Sequence, residues 1–145
     1  MNIESARSFL LSLPHVVETR QWGDNLLFWV GDKAIGGKMC AVVGLGDEGA
    51  AMGGHISYPA SPERVVELLE IEDISRAKYF ARLSWVSVHR WDVFRTAEWQ
   101  GELRAAHALT LAKLPPKAHK ILALPKKEQK RMIAAQKAKV SAHRL

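Results

Sequence analysis

The sequence predicts an α+β fold in which an antiparallel sheet of about five strands carries helices on one face. A basic helical extension is expected to follow this domain at the C-terminus. Apolar residues recur at helical spacing at the start of the chain and over residues 96–114, which predicts helices there. Short strand-like runs lie between these segments, and the first three are separated only by turn residues. The predicted order of elements is α-β-β-β-β-α-β-α.

The first helix is predicted from its ends and its apolar stripe. Asn2 is a favourable N-cap residue, and Glu4 suits the positive end of a helix dipole. Pro14 ends the helix because proline has no amide hydrogen to donate. The apolar residues at helical spacing are Ile3, Ala6, Leu10 and Leu13.

Three strands are predicted next, over residues 16–21, 26–30 and 38–43. The breaks between them are Gly23-Asp24-Asn25 and Gly31-Asp32-Lys33, which are typical turn residues. Parallel strands need a long crossover connection, and the chain has none here. These strands are therefore expected to pair antiparallel through hairpins.

The second half of the domain is predicted as strand, helix, strand and helix. A strand covers residues 55–58, and Ser61-Pro62 is a typical helix start. Residues 71–83 have no clear pattern, whereas 84–89 alternate with the period of a strand. The last helix of the domain covers 96–114. Its residues expected to face the core are Trp99, Leu103, Ala106 and either Leu109 or Thr110.

Composition is that of an ordinary globular protein, with 48% hydrophobic and 25% charged residues in 145. No apolar run reaches the roughly 18 to 20 residues of a membrane span, so no membrane partner is expected. We expect no secretory signal. The single cysteine, Cys40, lies in an apolar run typical of a buried strand and cannot form an internal disulfide. These features together predict a cytoplasmic protein.

Positive charge is concentrated at the C-terminus. Residues 113–145 hold ten lysines and arginines against one acid, Glu128, whereas the first 112 residues hold 11 bases and 14 acids. We therefore predict a domain over 1–117 and a basic extension over 118–145. The extension is expected to form a short helical piece and then, after Pro125, a mobile or loosely docked helix, because its apolar periodicity is poor.

A glycine pattern over residues 44–49, Gly-Leu-Gly-Asp-Glu-Gly, matches the dinucleotide-binding fingerprint in letters. That fingerprint needs a helix to open at the loop and hold the pyrophosphate. Glycines and a proline follow instead, and Asp47 and Glu48 would repel phosphate. The pattern therefore predicts a hairpin loop, and no cofactor is expected.

Catalytic and metal-binding motifs are not recognisable. The six histidines show no metal-ligand spacing, and a metal site would require convergence in space, for example of His55 and His89 from neighbouring strands. No nucleophile motif surrounds a serine, and nothing in the sequence would activate Cys40. The expectation is a protein that is not an enzyme and holds no metal.

Two basic groups are candidate phosphate contacts. The first interleaves bases with aromatic residues between 76 and 95, a pattern that suits backbone attraction combined with base stacking. The second lies in the extension and can neutralise several phosphates without recognising a base. The alternatives are a buried aromatic core with a solvated rim, and a solubilising tail. The candidate residues are Arg76, Lys78, Arg82 and Arg90, and Lys126, Lys127, Lys130 and Arg131.

The order and spacing of several short motifs resemble the MmcQ/YjbR family over roughly residues 1–117. The resemblance implies a CyaY-like or secretion-chaperone-like α+β fold and a DNA-binding role with a "double wing" arrangement. It implies no catalytic residues. His107 departs from the family pattern, in which a tyrosine is expected. The motifs are Ser12-Leu13-Pro14, Glu18, Trp22-Gly23, 26–31, Lys38-Met39, 61–64, 79–86 and Lys113-Leu114-Pro115.

The expected function is therefore non-catalytic DNA binding through phosphate contacts. The alternative is a protein-interaction module, as secretion-chaperone-like folds suggest, which binds a peptide or a second copy of itself. An enzyme or a small-ligand protein ranks third, since it would need a pocket with convergent polar groups.

Overall fold

One antiparallel sheet of six strands organises the part of the chain that the structure describes. The computed structural model describes residues 1–21, 23–45, 55–78 and 84–143. The strands lie in the order β1-β2-β3-β4-β6-β5, so β1 and β5 form the two edges. In chain order the elements are α1 (Ile3–Ser12), β1 (Val16–Gln21), β2 (Asn25–Val30), β3 (Lys38–Gly44), β4 (Ile56–Pro59), α2 (Pro62–Leu68), β5 (Ile74–Arg76), β6 (Trp85–Val88), α3 (Thr96–Ala112), α4 (Pro116–Leu122) and α5 (Lys126–His143).

The predicted α+β class is confirmed, and so is the antiparallel pairing of the first three strands. One strand, β5, was not predicted. It has only three residues, which is too short for an alternating pattern to show in sequence, and it is a strand because it pairs with β6. The sheet therefore has six strands where about five were expected.

Helix α1 begins where Asn2 caps its first turn. Asn2 Oδ1 accepts a hydrogen bond from the Ser5 amide at 2.8 Å, and Ser5 Oγ accepts one from the Asn2 amide at 2.9 Å. This reciprocal capping box satisfies amide groups that a helix start leaves unpaired. The helix ends before Pro14, as predicted, and His15 continues the chain in the left-handed region with φ 66°.

The main core lies between the sheet and its helices. Trp99 of α3 is fully buried and makes edge contacts with Tyr58 and Phe94, and its indole nitrogen donates to the Trp91 carbonyl at 2.8 Å. The prediction for α3 is confirmed at its buried positions, while Leu109 is only half-buried. The confirmed inward residues are Trp99, Leu103, Ala106 and Thr110.

A second buried cluster lies on the opposite face of the sheet. Neighbours of its members along the strands, such as Phe28 and Val86, belong to the main core. Because successive strand residues point to opposite faces, the cluster must lie on the other side. Its members are Leu27, Trp29, Val42, Ala77 and Trp85, with Met39 packed against them.

A β-bulge in β3 shapes one end of the sheet. Phe28 pairs with Ala41 and Trp29 pairs with Met39, so Cys40 is an extra residue on β3. A bulge bends its strand and locally increases the twist. The predicted burial of Cys40 is confirmed, since its side chain is inaccessible to solvent.

Beyond the bulge, β3 separates from β4. Register pairs between the described parts of these strands are Val42–Ser57 and Val43–Ile56. The other end of β4, at Pro59, pairs with β6 but not with β3. A cleft therefore opens between the two strands at this end of the sheet.

The extension forms two helices that contact the rest of the protein. Ala118, Ile121 and Leu122 of α4 are buried in the main core. On α5, Gln129 Nε2 donates to the carbonyl oxygens of Leu122 at 3.2 Å and of Leu124 at 2.7 Å. The division of the chain at residue 117 stays a prediction.

The long C-terminal helix is docked along one side. Ile133 packs against the core, and Lys137 Nζ lies 3.4 Å from Asp32 Oδ2. The helix that was expected to be mobile or loosely docked thus has three anchoring residues among its first 12, Gln129, Ile133 and Lys137. Within the described parts of the chain, no helix combines the length and the apolar character that crossing a membrane requires.

Candidate nucleic-acid interface

Five of the six lysines and arginines of α5 share one side of the helix, and Lys139 lies outside it. Successive residues of an α-helix advance by about 100° around its axis. Lys126, Lys130 and Lys137 therefore fall within an arc of about 40°, and Lys127 and Arg131 extend the arc to about 140°. We call this arc, made of these five side chains, the basic face of α5.

Docking of α5 turns the basic face towards solvent. The half-buried residues of α5 lie on the side of the helix next to the basic face, and they are Gln129, Ile133 and Gln136. All five side chains of the basic face are exposed. Gln129 and Ile133 were not among the predicted functional residues. Their spacing of four residues was the available signal, but a pair is too short to indicate a docking stripe.

Three lysines of the basic face carry uncompensated charge. Arg131 lies 3.2 Å from Glu128, and Lys137 is paired with Asp32. Lys126, Lys127 and Lys130 form no ion pair with any residue that the structure describes. These exposed ammonium groups are available to an external anion at little cost, because no internal pair must be broken.

Two of the predicted bases of the domain lie at an edge of the sheet. Arg76 is the last residue of the edge strand β5, and Lys78 follows two residues later; both are exposed. Arg82 falls outside the residues that the structure describes.

Arg90 is already compensated by two carboxylates. Its Nη1 lies 3.0 Å from Asp73 Oδ2, and its Nε donates to Asp92 Oδ1 at 2.9 Å. The hydrogen bond with Asp92 and the charges of both acids raise the pKa of Arg90. A phosphate would have to compete with both acids, so Arg90 is a poor phosphate contact.

The two basic groups do not form one surface. The first turns of α5 and strand β1 line the same groove, and its lining residues include Val17, Lys126 and Lys130. Arg76 lies on β5, at the other edge. Five strand spacings separate the edges, which amounts to about 24 Å. The structure therefore brings Lys126, Lys127, Lys130 and Arg131 together and leaves Arg76 and Lys78 apart from them.

Three of the histidines make contacts within the fold. His89 Nε2 and Ser75 Oγ lie 2.7 Å apart, His55 stacks on Trp91, and His107 Nε2 lies 2.8 Å from the Pro14 carbonyl oxygen. His107 thus connects α3 to the turn after α1. In the described part of the chain, no group of three or more possible ligands could hold a metal ion. The glycine pattern predicted as a hairpin loop lies largely outside the described residues, since 46–54 are not included.

Burial explains the chemistry of Cys40. Desolvation raises the pKa of its thiol to about 12. The thiolate is the nucleophilic form of cysteine, so a thiol with this pKa is inert at neutral pH.

Comparison with known proteins gives one match. The model of the YjbR family matches residues 11–109, from the end of α1 to most of α3. No match to the chain was found among the curated proteins or among the solved structures. The basic face of α5 lies outside the matched residues.

Proposed function

The chain belongs to the YjbR family, and we propose that it is a non-catalytic protein that binds DNA through phosphate contacts. One observation carries the proposal: the basic face of α5 presents three uncompensated lysines on one exposed arc. Residues 113–145 have ten bases and one acid, while the rest of the chain has an excess of acids. Such an asymmetric charge favours an acidic polymer as partner.

Contacts of this kind position a protein on DNA without recognising its sequence. Lysine acts as a flexible point charge, whereas base recognition needs bidentate donors in a groove. The basic face holds four lysines and one arginine that is paired with Glu128. The proposed binding is therefore insensitive to base sequence and strongly dependent on salt.

A membrane surface fits α5 less well than DNA does. An interfacial helix needs a broad apolar face opposite its basic face. The apolar residue Ile133 is already packed against the core, and the exposed Met132 and Val140 lie eight positions apart on α5. No continuous apolar face is left for lipid.

A protein-interaction module is the second candidate, because apolar side chains are exposed beside α5. Leu11 and Val17 are 40% and 39% exposed and line the groove of about 560 Å³ between β1 and α5. β1 is also an edge strand, which can pair with an added strand. A protein partner would bind there without a steep salt dependence.

Fluorescence anisotropy with a labelled duplex of random sequence, between 50 and 200 mM salt, tests DNA binding. Each phosphate contact contributes about 0.9 to the slope of log K against log salt. The variant Lys127→Gln/Lys130→Gln should therefore reduce this slope by about 1.8.

A matched control removes the same charge elsewhere. Arg76 and Arg95 are exposed and lie outside α5, and the Arg76→Gln/Arg95→Gln variant should keep the wild-type slope. Absence of salt-dependent binding at 50 mM would overturn the proposal. An equal loss in both variants would refute the assignment to α5.

A further inference from the structure

A cleft of about 550 Å³ opens where β3 and β4 separate. Its position follows from two local features. The bulge at Cys40 bends β3, and Pro59 stands opposite with no amide hydrogen to pair with it. The cleft is thus built into the sheet and is not a gap between flexible loops. Its volume is in the range of small-molecule sites, about 300–1,000 Å³.

Large apolar side chains form the walls of the cleft. Trp29 and Trp85 come from the second buried cluster, Met39 lies at the bulge, and Leu109 comes from α3. Trp29 is oriented by a hydrogen bond from its indole nitrogen to Thr19 Oγ1 at 2.8 Å. Tryptophan and methionine are the side chains that make favourable contacts with flat, polarisable rings.

Positive charge lies at the same cleft. Lys38 and Lys113 line it, and no acidic side chain is among its described lining residues. Neither lysine forms an ion pair with a described residue. Lys33 Nζ also stands 5.9 Å from the centre of the Trp29 ring. The cleft therefore combines aromatic walls with an uncompensated positive rim.

We propose that this cleft binds a nucleotide: a planar base packs against Trp29, Met39 and Trp85, while its phosphate lies at Lys38 and Lys113. An apolar ligand alone would leave the two lysines without a role. An inorganic anion alone would leave the apolar side chains of the cleft, among them the half-buried Met39 and Leu109, without a partner. A base that carries a phosphate matches both parts of the cleft.

The nucleotide has two possible sources, a free mononucleotide or an unpaired residue of a nucleic-acid strand. The second source rests on the proposed function. This second source is consistent with the position of Lys33. The preceding residue, Asp32, pairs with Lys137 of the basic face, and Lys33 itself lies beside Trp29 of the cleft. A strand that contacts α5 would meet further lysines in the direction of the cleft.

Binding of adenosine monophosphate to the full chain tests the proposal, with intrinsic tryptophan fluorescence as the readout. We expect saturable quenching, with dissociation constants about tenfold weaker for adenosine and for ribose 5-phosphate. Each of these ligands lacks one of the two matched groups. Equal affinity for adenosine and its monophosphate, or no saturable binding of the monophosphate, would overturn the proposal.

Two variants locate the site. Lys38→Gln/Lys113→Gln should weaken adenosine monophosphate about tenfold and leave adenosine unchanged. Leu109→Phe, at a half-buried position, should fill part of the cleft and weaken both ligands. The control Lys117→Gln/Lys120→Gln removes the same charge from exposed positions of α4 and should bind like wild type. A thermal melt of each variant checks folding, and equal loss in the control would overturn the site.

Competition with a single-stranded oligonucleotide distinguishes the sources. If the cleft takes unpaired residues of a strand, the oligonucleotide displaces adenosine monophosphate; if it takes free nucleotides, it does not. Either result supports a nucleotide site. The Lys127→Gln/Lys130→Gln variant keeps the two proposals separable, since it should weaken DNA binding but not the mononucleotide. Failure of the mononucleotide alone would overturn the cleft and leave the proposed function of α5 in place.

Discussion

Replacing Gly37 with alanine tests the turn that leads into β3 and borders the cleft. An alanine β-carbon at this position would lie 2.8 Å from the Asp32 carbonyl oxygen and still closer to the carbonyl of Gly31. Both neighbours are backbone atoms, which cannot rotate away as a flexible side chain can. Ordinary contact begins at 3.4 Å, so relieving the Asp32 contact alone takes a shift of about 0.6 Å, and relieving the closer Gly31 contact takes a larger one.

The cost follows from the hydrogen bonds in that turn. The Gly37 and Ile35 amides both donate to the Asp32 carbonyl, at 3.0 and 3.1 Å, and the Gly31 amide donates to the His15 carbonyl at 2.8 Å. Weakening two or three such bonds costs about 2–3 kcal/mol, which is also the usual cost of overpacking. For a chain of this size, the melting temperature should fall by about 5–10 °C.

Urea unfolding followed by circular dichroism measures this free energy, with Gly101→Ala as the matched control. Gly101 lies on an exposed position of α3, and an alanine β-carbon there would meet no other atom within 4 Å. Alanine at this position should therefore stabilise the helix by about 1 kcal/mol. A Gly37→Ala variant within about 0.5 kcal/mol of wild type would refute the steric argument.

Three further outcomes are expected. The Cys40 thiol should react with a disulfide reagent only as fast as the protein opens, since the side chain is inaccessible; rapid stoichiometric labelling of the folded protein would contradict its burial. Burial raises the pKa of the Cys40 thiol from a reference value of 9.0 to about 12, so the folded state holds this proton more tightly than the unfolded state. The contribution of Cys40 to the free energy of unfolding is therefore complete below pH 9 and is lost as the pH rises towards 12. Compared with Cys40→Ala, the wild type should lose about 1.4 kcal/mol of unfolding free energy between pH 8 and 10, and parallel pH profiles would count against this. His15→Gly should stabilise the protein by about 0.5–1 kcal/mol, because glycine tolerates a φ of 66° that strains histidine. The same change at His119, inside α4, should destabilise it in the same urea experiment.

Local signals predicted most of the elements. The cap at Asn2, the Ser61-Pro62 start and the alternation over 84–89 depend on neighbouring residues, and all three elements are present in the structure. Pro125 likewise precedes α5. Such signals work because capping, proline geometry and side-chain alternation act within a few residues.

The sequence did not predict features that depend on contacts between residues distant in the chain. β5 exists only through its pairing with β6, and the bulge at Cys40 exists only in the register between β2 and β3. Lys38 and Lys113 are 75 positions apart in sequence, yet both line one cleft. No local pattern joins such residues, because their proximity is set by sheet order and helix packing.

The positive charge of the extension is a property of the sequence, since residues 113–145 hold ten bases and one acid. What only the tertiary structure decided is which bases can act together. Sheet order places Arg76 at the edge away from α5, two acids compensate Arg90, and docking through Ile133 leaves five bases of α5 on one exposed arc. Charge is carried by single residues, but a binding surface requires that charges be close in space and free of internal partners.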